Sequence, residues 1–283
     1  MQFAVIGNQG MFGRDMYDFL SELGETVRGF NRSNLDLSES VDSLAKVISG
    51  ADVIVNCVAF TAVDSAEKQQ AQANLVNGEY AGKIALVAKS IGARFVHLST
   101  DYVFSGQSQV PVKVSTPLSP LNAYGTSKAL GEKLIEQSGA EFQIFRTAWL
   151  YGASGNCFPK SIAKKLLSGG IVNVVDDQVG QPTWTKDLAR IVYAHSVNNY
   201  SEKYVHAVSS GQATWFDFAQ AVAKRLPDSG SYRVEGIKSS ELNQEATRPP
   251  FSVLDNSETR GPVIAHWADR WEIAAPEILQ SLL

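Results

Sequence analysis

The first half of the chain alternates between short apolar runs and longer segments with helical spacing, which limits the possible folds. The apolar runs are typical of β-strands, and some are almost entirely apolar, as in DVIVNCVA. Such strands belong to parallel sheets that are covered on both faces. The segments between them, among them MFGRDMYDFLSEL, repeat apolar residues at helical intervals. Repeated strand–helix–strand units predict an α/β fold of the Rossmann type, with a doubly wound parallel sheet.

Further elements follow from the same patterns. We predict strands at QFAVIG, TVRGF, RFVHLST and FQIFRTAWLYG, and one long helix from Ala66 to the glycine at 92. Helices are predicted at VDSLAKVISG, AYGTSKALGEKLIEQSG, TKDLARIVYAHSVNN and TWFDFAQAVAKRL. IVNVV is predicted to be a strand that leads into a turn-rich loop.

The second half is less regular than the first. From Pro227 to Pro262 the chain is rich in Gly, Ser and Pro and shows no clear period, which predicts long loops. We therefore predict a first domain over residues 1–150, which contains the sheet, and a smaller lobe over residues 151–283. Segments near 171–200 are expected to return to the first domain.

Composition excludes several classes of protein. The 283 residues are 44% apolar and 19% charged, with a net charge of -4 and no basic stripe, so nucleic acid is not an expected partner. Cys57 and Cys157 are far apart and outside any metal-binding spacing, so we predict neither a disulfide nor a zinc site. The chain starts without a signal peptide and has no run of 18 apolar residues, which predicts a cytoplasmic protein without membrane contact.

A glycine-rich turn follows the first strand. In VIGNQGMFG, Gly7, Gly10 and Gly13 lie between that strand and the first helix. Glycines allow the backbone to turn sharply and approach a pyrophosphate, whose charge the helix N-terminus favours. The position predicts a dinucleotide site, and the alternative is a plain strand-to-helix turn.

The end of the second strand bears on the choice of cofactor. An acidic residue about 20 positions after the glycines usually binds the ribose 2′-hydroxyl, but this chain has Asn31 and Arg32 there. Arg32 can pair with a 2′-phosphate, which favours NADP. The alternative is a solvated loop arginine. Asp36 follows and is a candidate contact for the adenine.

Polar residues gather where the fourth predicted strand ends. Ser99, Thr100 and Asp101 lie at the carboxyl edge of the sheet, where open α/β sheets bind ligands. Downstream, Tyr124 and Lys128 are one helical turn apart. An ammonium beside a phenol lowers the phenol pKa, so that the phenol can give a proton to a carbonyl oxygen. A tyrosine and lysine at this spacing are otherwise an ordinary helix pair.

Together these motifs resemble the extended short-chain dehydrogenase/reductases, and more narrowly the dTDP-4-dehydrorhamnose reductase family. The resemblance spans nearly the whole chain. The blocks that carry it are GNQGMFG, NRSNLDL, NCVAFTAVDSAE, HLSTDYVFSG, NAYGTSKALGE, FRTAWLYG, NVVDDQVGQPT and RPPFSVLDN.

The resemblance implies catalytic roles for Thr100, Tyr124 and Lys128. Tyr124 is then the general acid, and Lys128 tunes it and binds the nicotinamide ribose. Thr100 hydrogen-bonds the substrate oxygen or the tyrosine. Related 4,6-dehydratases carry Asp-Glu after the threonine, whereas this chain has Asp101 and Tyr102, so it lacks the second acid of an elimination.

The resemblance also implies two binding sets. Residues expected at NADPH, or NADH, are Gly7, Gln9, Gly10, Met11, Phe12, Gly13, Asn31, Arg32, Asp36, Leu37, Cys57, Val58, Ala59, Thr61, Tyr124 and Lys128. Residues expected at a nucleotide sugar are Asp101, Tyr102, Val103, Trp149, Gln181 and Arg248. Trp149 is alternatively a core residue, and Arg248 an exposed loop residue.

Assembly and metal content are less strongly indicated. Some members of the family carry Mg²⁺ at a dimer interface through glutamates, and a homodimer is one expected assembly. Asp15 lies near one such position, but the chain lacks a full ligand set, so we predict no metal.

The predicted function is NAD(P)H-dependent reduction of the 4-keto group of a dTDP-4-keto-6-deoxy sugar, converting dTDP-4-dehydrorhamnose to dTDP-L-rhamnose. One alternative is a non-catalytic NADP-binding subunit, as in the regulatory β subunit of methionine adenosyltransferase, which would bind the cofactor without turnover. The other is a 4-ketoreductase for a different nucleotide deoxysugar, which a panel of substrates would reveal.

Overall fold

The computed structural model describes residues 1–198, 200–227, 232–280 and 282. The strands are β1 (Gln2–Ile6), β2 (Thr26–Phe30), β3 (Val53–Asn56), β4 (Arg94–Thr100), β5 (Phe142–Thr147), β6 (Leu150–Tyr151), β7 (Gly170–Val175), β8 (Val179–Gly180), β9 (Thr183–Trp184), β10 (Tyr204–His206), β11 (Ser209–Ser210), β12 (Ala213–Thr214), β13 (Tyr232–Ile237) and β14 (Ile264–His266). The α-helices are α1 (Met11–Glu22), α2 (Val41–Ile48), α3 (Val63–Lys68), α4 (Gln70–Asn74), α5 (Tyr80–Ile91), α6 (Ala123–Ser138), α7 (Phe158–Leu167), α8 (Thr185–Val197), α9 (Trp215–Ala223) and α10 (Trp267–Leu279).

Six strands form one parallel sheet in the order β10-β5-β4-β3-β1-β2. The chain moves outward from β1 to β2 and then crosses to β3 on the other side of β1. The strand order therefore reverses beside β1, and ligands of such sheets bind at the carboxyl ends of the strands next to this reversal. The predicted α/β fold with a doubly wound parallel sheet is confirmed.

Both faces of the sheet are covered, as the apolar strands predicted. In β1, Phe3 and Val5 enter a core that they share with α1 and α8, while Ala4 and Ile6 enter a second core shared with α2 and α5. Side chains alternate between the two faces because successive residues of a strand point in opposite directions. Among the described residues, no helix is long and apolar enough to cross a membrane.

A second layer is built mainly from the later part of the chain. Its core joins α7, α9 and α10 to the strand pair β7–β13, with Trp271 fully buried at its centre. The range near 171–200 divides between the two layers. Helix α8 returns to the core around β1, whereas β7 stays in the second layer. The domain boundary at residue 150 stays a prediction.

Several elements of the second half differ from the sequence-based expectation. The region from 227 to 262 contains the strand β13 where only loops were predicted, and residues 228–231 of that region lie outside the described residues. Helices α7 and α10 were not predicted. Pro276 lies inside α10 and interrupts the sequence pattern of a helix, although packing of Trp271 and Ile278 maintains the helix.

The predicted long helix from Ala66 to Gly92 is interrupted by a π-helical turn over Leu75–Glu79. Asn77 within this turn is fully buried. Its Oδ1 accepts a hydrogen bond from the Phe60 N–H at 2.8 Å, and its Nδ2 donates to the Phe60 carbonyl at 3.0 Å and to Ser127 Oγ at 2.9 Å. Asn77 of the π-helical turn thus joins the loop after β3 to α6. Turns of this kind are frequent at functional sites.

Helix α6 lies very close to its neighbours. A Cβ at Gly131 would be 2.2 Å from the backbone oxygen of Asn77, and a Cβ at Gly125 would be 2.1 Å from the backbone oxygen of Tyr102. Both distances are far below van der Waals contact. Glycine at these two positions allows α6 to approach the π-helical turn and the end of β4.

This close approach predicts that Gly131→Ala destabilises the protein by about 1–3 kcal/mol, as overpacking of a core does. The free energy of unfolding, measured by urea denaturation, checks this. Gly78→Ala is the matched control, because its Cβ would first meet Leu130 Cδ2 at 2.7 Å, the end of a flexible side chain. A Gly131→Ala variant that is as stable as Gly78→Ala would contradict the prediction.

Candidate active site

The start of α6 is held at the carboxyl edge of the sheet. Asn122 caps the helix, with its Oδ1 accepting from the Gly125 N–H at 2.8 Å and its Nδ2 donating to the Thr247 carbonyl at 2.8 Å. An asparagine cap satisfies a free N–H group of the first turn. The Ala123 N–H donates to the Glu67 carboxylate at 2.8 Å. These contacts fix the turn that carries Tyr124.

Tyr124, Thr100 and Asp101 meet where β4 ends and α6 begins. The Thr100 hydroxyl donates to Asp101 Oδ1 at 2.9 Å and is hydrogen-bonded to the Tyr124 phenol. Burial raises the pKa of Tyr124 to about 12; the Thr100 hydrogen bond opposes this rise, and the nearby Asp101 carboxylate adds to it. The phenol therefore keeps its proton in neutral solution, as a general acid must.

Lys128 contacts the strand below it. Its Nζ lies 3.0 Å from His97 Nε2 and donates to the Leu98 carbonyl at 2.5 Å. This ammonium was expected to lower the phenol pKa, but the phenol pKa is raised instead. Burial removes the amine from water and lowers the pKa of Lys128 to about 8, although Glu132 opposes the change. The amine is directed toward β4, and the pKa of the phenol is raised.

Asp101 is an unusual carboxyl group because it is only 3% exposed. Burial raises its pKa to about 6, while hydrogen bonds from Ser252 and Thr100 oppose that rise. Within the described part of the chain, Oδ2 has no hydrogen-bond partner. A buried carboxyl oxygen without a partner is rare in proteins, and here it lies at the end of β4, next to Thr100.

The glycine turn fits a dinucleotide. Gly7 has a φ of +86°, which disfavours other residues. A Cβ at Gly13 would lie 2.1 Å from the Gly7 oxygen. Gly10 caps α1 without a side-chain hydrogen bond, so the N–H groups of the first turn remain available to a phosphate.

Other residues expected at the cofactor have varied environments. Cys57 and Val58 lie beside Gly7, within 3.2 Å of where its Cβ would be. The Phe12 side chain is buried in the core around β1, so only its backbone faces the turn. Met11 packs against the second layer. Gln9, Ala59 and Thr61 are exposed.

The residues expected near the adenosine lie after β2. Arg32 is exposed and makes no hydrogen bond or ion pair within the described residues, so it is free to meet a phosphate. Asn31 Oδ1 accepts from the Ser33 N–H at 2.8 Å. Asp36 is exposed, and the backbone hydrogen bond from Ser38 lowers its pKa. Leu37 packs against the core beneath α2.

Two residues expected at the sugar nucleotide have their side chains inside the protein. Val103 is fully buried in a small core cluster with Phe104. Gln181 is 2% exposed, its Nε2 donates to the Ser209 and Leu254 carbonyls, and its Oε1 accepts from the Leu254 N–H. Because these contacts satisfy its amide, Gln181 joins three loops here, which corrects its expected role as a ligand contact.

Three other residues expected at the sugar nucleotide, Tyr102, Arg248 and Trp149, have half-buried side chains. The ring of Tyr102 meets that of Tyr124 edge-on, with centroids 5.8 Å apart. Arg248 pairs with Asp64 at 2.6 Å. Trp149 stacks on Trp215 with centroids 3.5 Å apart and planes at 6°.

Trp149 also corrects a predicted element. FQIFRTAWLYG was expected to be one strand, but Trp149 has a φ of +46° and separates β5 from β6. A bulky residue rarely adopts this conformation. Stacking on Trp215 maintains it, and a non-glycine residue in this region often marks a functional site.

Within the described ranges, no three His, Cys, Asp or Glu side chains come together as a metal site requires. Asp15, which the sequence placed near such a position, accepts a hydrogen bond from the Thr185 hydroxyl and is largely buried. Burial raises its pKa.

Several buried polar residues next to the candidate catalytic residues were not predicted from the sequence. These are Asn56 and His97 beneath Lys128, and the ion pair between Glu132 and Arg146. A signal was available in both cases. His97 in RFVHLST and Arg146 in FQIFRT interrupt otherwise apolar strands, and a buried charged or polar side chain needs a partner.

The chain matches one family of known proteins over its full length. The family model described as RmlD substrate binding domain matches residues 1–283. This chain belongs to that family. A dTDP-4-keto-6-deoxy-D-glucose reductase of Streptomyces niveus is 38% identical to it, with 97% of this chain and 96% of the relative covered. A dTDP-4-dehydrorhamnose reductase of Burkholderia thailandensis is 35% identical, with 90% and 91% covered.

Solved structures of the RmlD family superpose closely on this fold. A dTDP-4-dehydrorhamnose reductase of Clostridium acetobutylicum gives a TM-score of 0.92 at 32% identity, covering 99% of this chain and 100% of the other. The Bacillus anthracis enzyme of the same name, solved in complex with NADP, gives 0.90 at 26% identity, covering 96% and 98%. The predicted family, and the prediction of an oxidoreductase, are confirmed.

The buried Asp101 carboxyl predicts a pH effect on stability. Its folded pKa of about 6 lies above the ordinary value of about 3.9, so the folded state binds the proton more tightly. The Asp101 carboxyl therefore stabilises the folded state fully when the pH is below its unfolded pKa of about 3.9. This stabilisation is lost as the pH rises through the folded pKa of about 6. Relative to the parent, Asp101→Asn should gain about 2 kcal/mol of unfolding free energy between pH 4 and pH 7.

Urea denaturation of both proteins at the two pH values measures this difference. Asp255→Asn is the control, because the Ser257 hydrogen bonds lower the pKa of that half-buried carboxyl. Its stability relative to the parent should change in the opposite direction. The same relative stability of Asp101→Asn at both pH values would contradict a raised pKa.

Proposed function

We propose that this protein reduces the 4-keto group of a dTDP-linked 4-keto-6-deoxy sugar, with dTDP-4-dehydrorhamnose as the substrate and dTDP-L-rhamnose as the product. The observation that carries the proposal is a protonated phenol, that of Tyr124, beside Thr100 at the carboxyl edge of the sheet. The names of the relatives from B. thailandensis and C. acetobutylicum support the choice of sugar.

The proposed cofactor is NADPH, which supplies a hydride when bound. Gly7, Gly10 and Gly13 hold the pyrophosphate at the start of α1. The exposed guanidinium of Arg32 pairs with the 2′-phosphate, since a planar guanidinium matches phosphate oxygens in a bidentate way. The NADP found in the B. anthracis relative supports this assignment.

In this proposal Tyr124 gives its proton to the carbonyl oxygen of the sugar, and the hydroxyl of Thr100 keeps the phenol and that oxygen in line. Lys128 holds the nicotinamide ribose. Asp101 and Tyr102 contact the sugar. Because burial disfavours phenolate, the phenol is protonated before the ketone arrives and is ready to act as the acid.

In this proposal the diphosphate and the base of the nucleotide sugar bind to Arg248 and to the Trp149–Trp215 pair. The Arg248 guanidinium is 14% exposed and paired with Asp64, and it can offer its remaining N–H groups to the diphosphate. The Trp149–Trp215 stack provides a flat aromatic wall suited to a nucleobase or sugar ring.

The central role of the phenol predicts that Tyr124→Phe lowers kcat by about 10² to 10⁴, the usual contribution of a general acid. Oxidation of NADPH, followed by absorbance at about 340 nm with dTDP-4-dehydrorhamnose, measures this. Tyr193→Phe is the control, since it removes a phenol that donates to Glu25 and packs against Phe3 and Phe19, outside the proposed site.

NADPH binding, measured by fluorescence titration, should remain in both variants. If Tyr124→Phe turns over as fast as the parent, Tyr124 is not the acid. NADPH binding by the parent without turnover of any 4-keto sugar would instead indicate a regulatory subunit.

A second candidate is reduction of another dTDP-linked deoxysugar. The observation that favours it is the S. niveus relative, whose name gives a different sugar at 38% identity, compared with 35% for the B. thailandensis enzyme. We expect kcat/KM to be highest for dTDP-4-dehydrorhamnose in a panel that includes dTDP-4-keto-6-deoxy-D-glucose. A higher kcat/KM for the latter would replace the first candidate with the second.

A further inference from the structure

The loop that carries Arg248 is hydrogen-bonded both to helix α3 and to the start of α6. Asp64, in the first turn of α3, accepts from Arg248 Nη1 at 3.0 Å through Oδ1 and from Arg248 Nη2 at 2.6 Å through Oδ2. Its Oδ1 also accepts from the Ala246 N–H at 3.1 Å. The Thr247 carbonyl accepts from Asn122 Nδ2 at 2.8 Å. One carboxylate therefore holds both the backbone of the loop and the guanidinium that the loop carries.

The hydrogen bonds of Arg248 leave one edge of its guanidinium open. A guanidinium has five N–H groups in a fixed planar fork. Nη1 uses both of its N–H groups, on Asp64 and on the Ala246 carbonyl at 3.0 Å, and Nη2 uses one on Asp64. Within the described part of the chain, no acceptor takes the second Nη2–H or the Nε–H. Because Asp64 meets the guanidinium end-on, these two groups lie side by side, and such a pair matches two oxygens of a phosphate.

The pair between Asp64 and Arg248 affects the order of the arginine more than the stability of the fold. The Asp64 side chain is 45% exposed, and ion pairs that water reaches stabilise a fold only slightly. An arginine side chain has several rotatable bonds, and ordering it when a ligand binds costs affinity unless it is already held. The hydrogen bonds from Arg248 lower the pKa of Asp64, so the carboxylate is charged in neutral solution and the pair is maintained.

Arg248 shares a neighbour with the candidate general acid. Burial raises the pKa of the Tyr102 phenol, the Asp101 carboxylate adds to the rise, and the Arg248 guanidinium opposes it, so Arg248 is close to this phenol. The Tyr102 ring in turn meets the Tyr124 ring edge-on, with centroids 5.8 Å apart. Asn122, which also contacts the Arg248 loop, caps the helix that carries Tyr124. The position of the guanidinium is thus tied to that of the phenol.

We propose that Asp64 is a positioning residue, which holds Arg248 so that its Nε–Nη2 edge receives the diphosphate of the nucleotide sugar. This role rests on the proposed function, in which Arg248 binds that diphosphate. Asp64 itself does not touch the substrate. It acts through Arg248, because it fixes which edge of the guanidinium is left open and orders the side chain before the ligand arrives.

The alternative is that Asp64 competes with the anion for Arg248. Removal of a carboxylate that repels a phosphate would by itself tighten binding about twofold, because water and salt screen the charge of a half-exposed group. Release of the arginine from its fixed orientation would weaken binding about tenfold. The second effect is larger, so a positioning role predicts a net weakening of about fivefold, whereas competition predicts tighter binding.

Asp64→Asn tests the sign of this change. We expect the Kd of dTDP to rise about fivefold, measured by isothermal titration calorimetry with NADP⁺ in excess to keep dTDP out of the cofactor site. Glu245→Gln is the matched control, because it removes a carboxylate from the same loop, where Glu245 forms an exposed ion pair with Lys68 at 2.8 Å. Its Kd should change by less than about twofold. An unchanged or lower Kd for Asp64→Asn would overturn the proposal.

A double-mutant cycle with Arg248→Met tests whether Asp64 acts through Arg248. Arg248→Met alone should raise the Kd of dTDP about 10- to 100-fold, the usual effect of losing a bidentate charge-assisted pair. In that background Asp64→Asn should change the Kd by less than about twofold, because no guanidinium is left to position. A carboxylate that only supported the loop through the Ala246 N–H would instead weaken binding equally in both backgrounds. Equal weakening would therefore refute the positioning role.

The titrations with dTDP need no turnover, so they separate the role of Asp64 from the reductase function. A parent that binds dTDP but reduces no 4-keto sugar would refute the reductase function, while the Kd of Asp64→Asn still decides the role of Asp64. With a reducible sugar nucleotide, Asp64→Asn should raise KM about fivefold and change kcat by less than about twofold. A lower kcat at an unchanged KM would contradict a positioning role, as would a parent that binds no dTDP.

Discussion

Helix α6, which carries Tyr124 and Lys128, is anchored to the sheet by the buried ion pair between Glu132 and Arg146. Arg146 Nη2 lies 2.7 Å from Glu132 Oε2, its Nε donates to Oε1 at 3.1 Å, and Ser99 Oγ also donates to Oε1 at 2.5 Å. Two charges in a dry interior are tolerated only when nearly all their hydrogen-bonding groups are satisfied. Arg146 Nη1 also donates to the Val114 carbonyl at 2.9 Å. This ion pair fixes which face of α6 is turned toward the sheet. The same fixed orientation determines the directions in which Tyr124 and Lys128 leave the helix.

Hydrogen bonds also connect helix α6 to the loop after β3. Ser127 on α6 accepts a hydrogen bond from Asn77 of the π-helical turn, and Asn77 holds both backbone groups of Phe60. Gly131 lets the helix approach that turn closely. A shift of the loop after β3 would therefore be transmitted to the turn of α6 that carries the tyrosine, since packed elements move as rigid bodies rather than deform.

Much of the sheet and the position of the candidate catalytic residues were predictable from local pattern. The strand RFVHLST and the helix after Asn122 have the predicted positions because their apolar periods and caps act locally. Trp149 was not predictable, because its positive φ is maintained by stacking on Trp215, a residue distant in sequence. The contact of Lys128 was missed for a similar reason. Spacing shows that Lys128 shares a helix face with Tyr124, but not that β4 offers it a carbonyl and an imidazole.

Burial acts on both members of the tyrosine–lysine pair in the same sense. It raises the pKa of the Tyr124 phenol to about 12 and lowers that of the Lys128 amine to about 8, because a dry site disfavours phenolate and ammonium alike. A site built in this way avoids a standing ion pair between the two side chains. In the proposed reaction, negative charge develops on the phenol only as the ketone takes its proton. The Lys128 side chain is one helical turn away, and at a pKa of about 8 it is mostly an ammonium in neutral solution. In that proposal the ammonium stabilises a charge that is absent before the reaction, so its effect is greatest in the transition state.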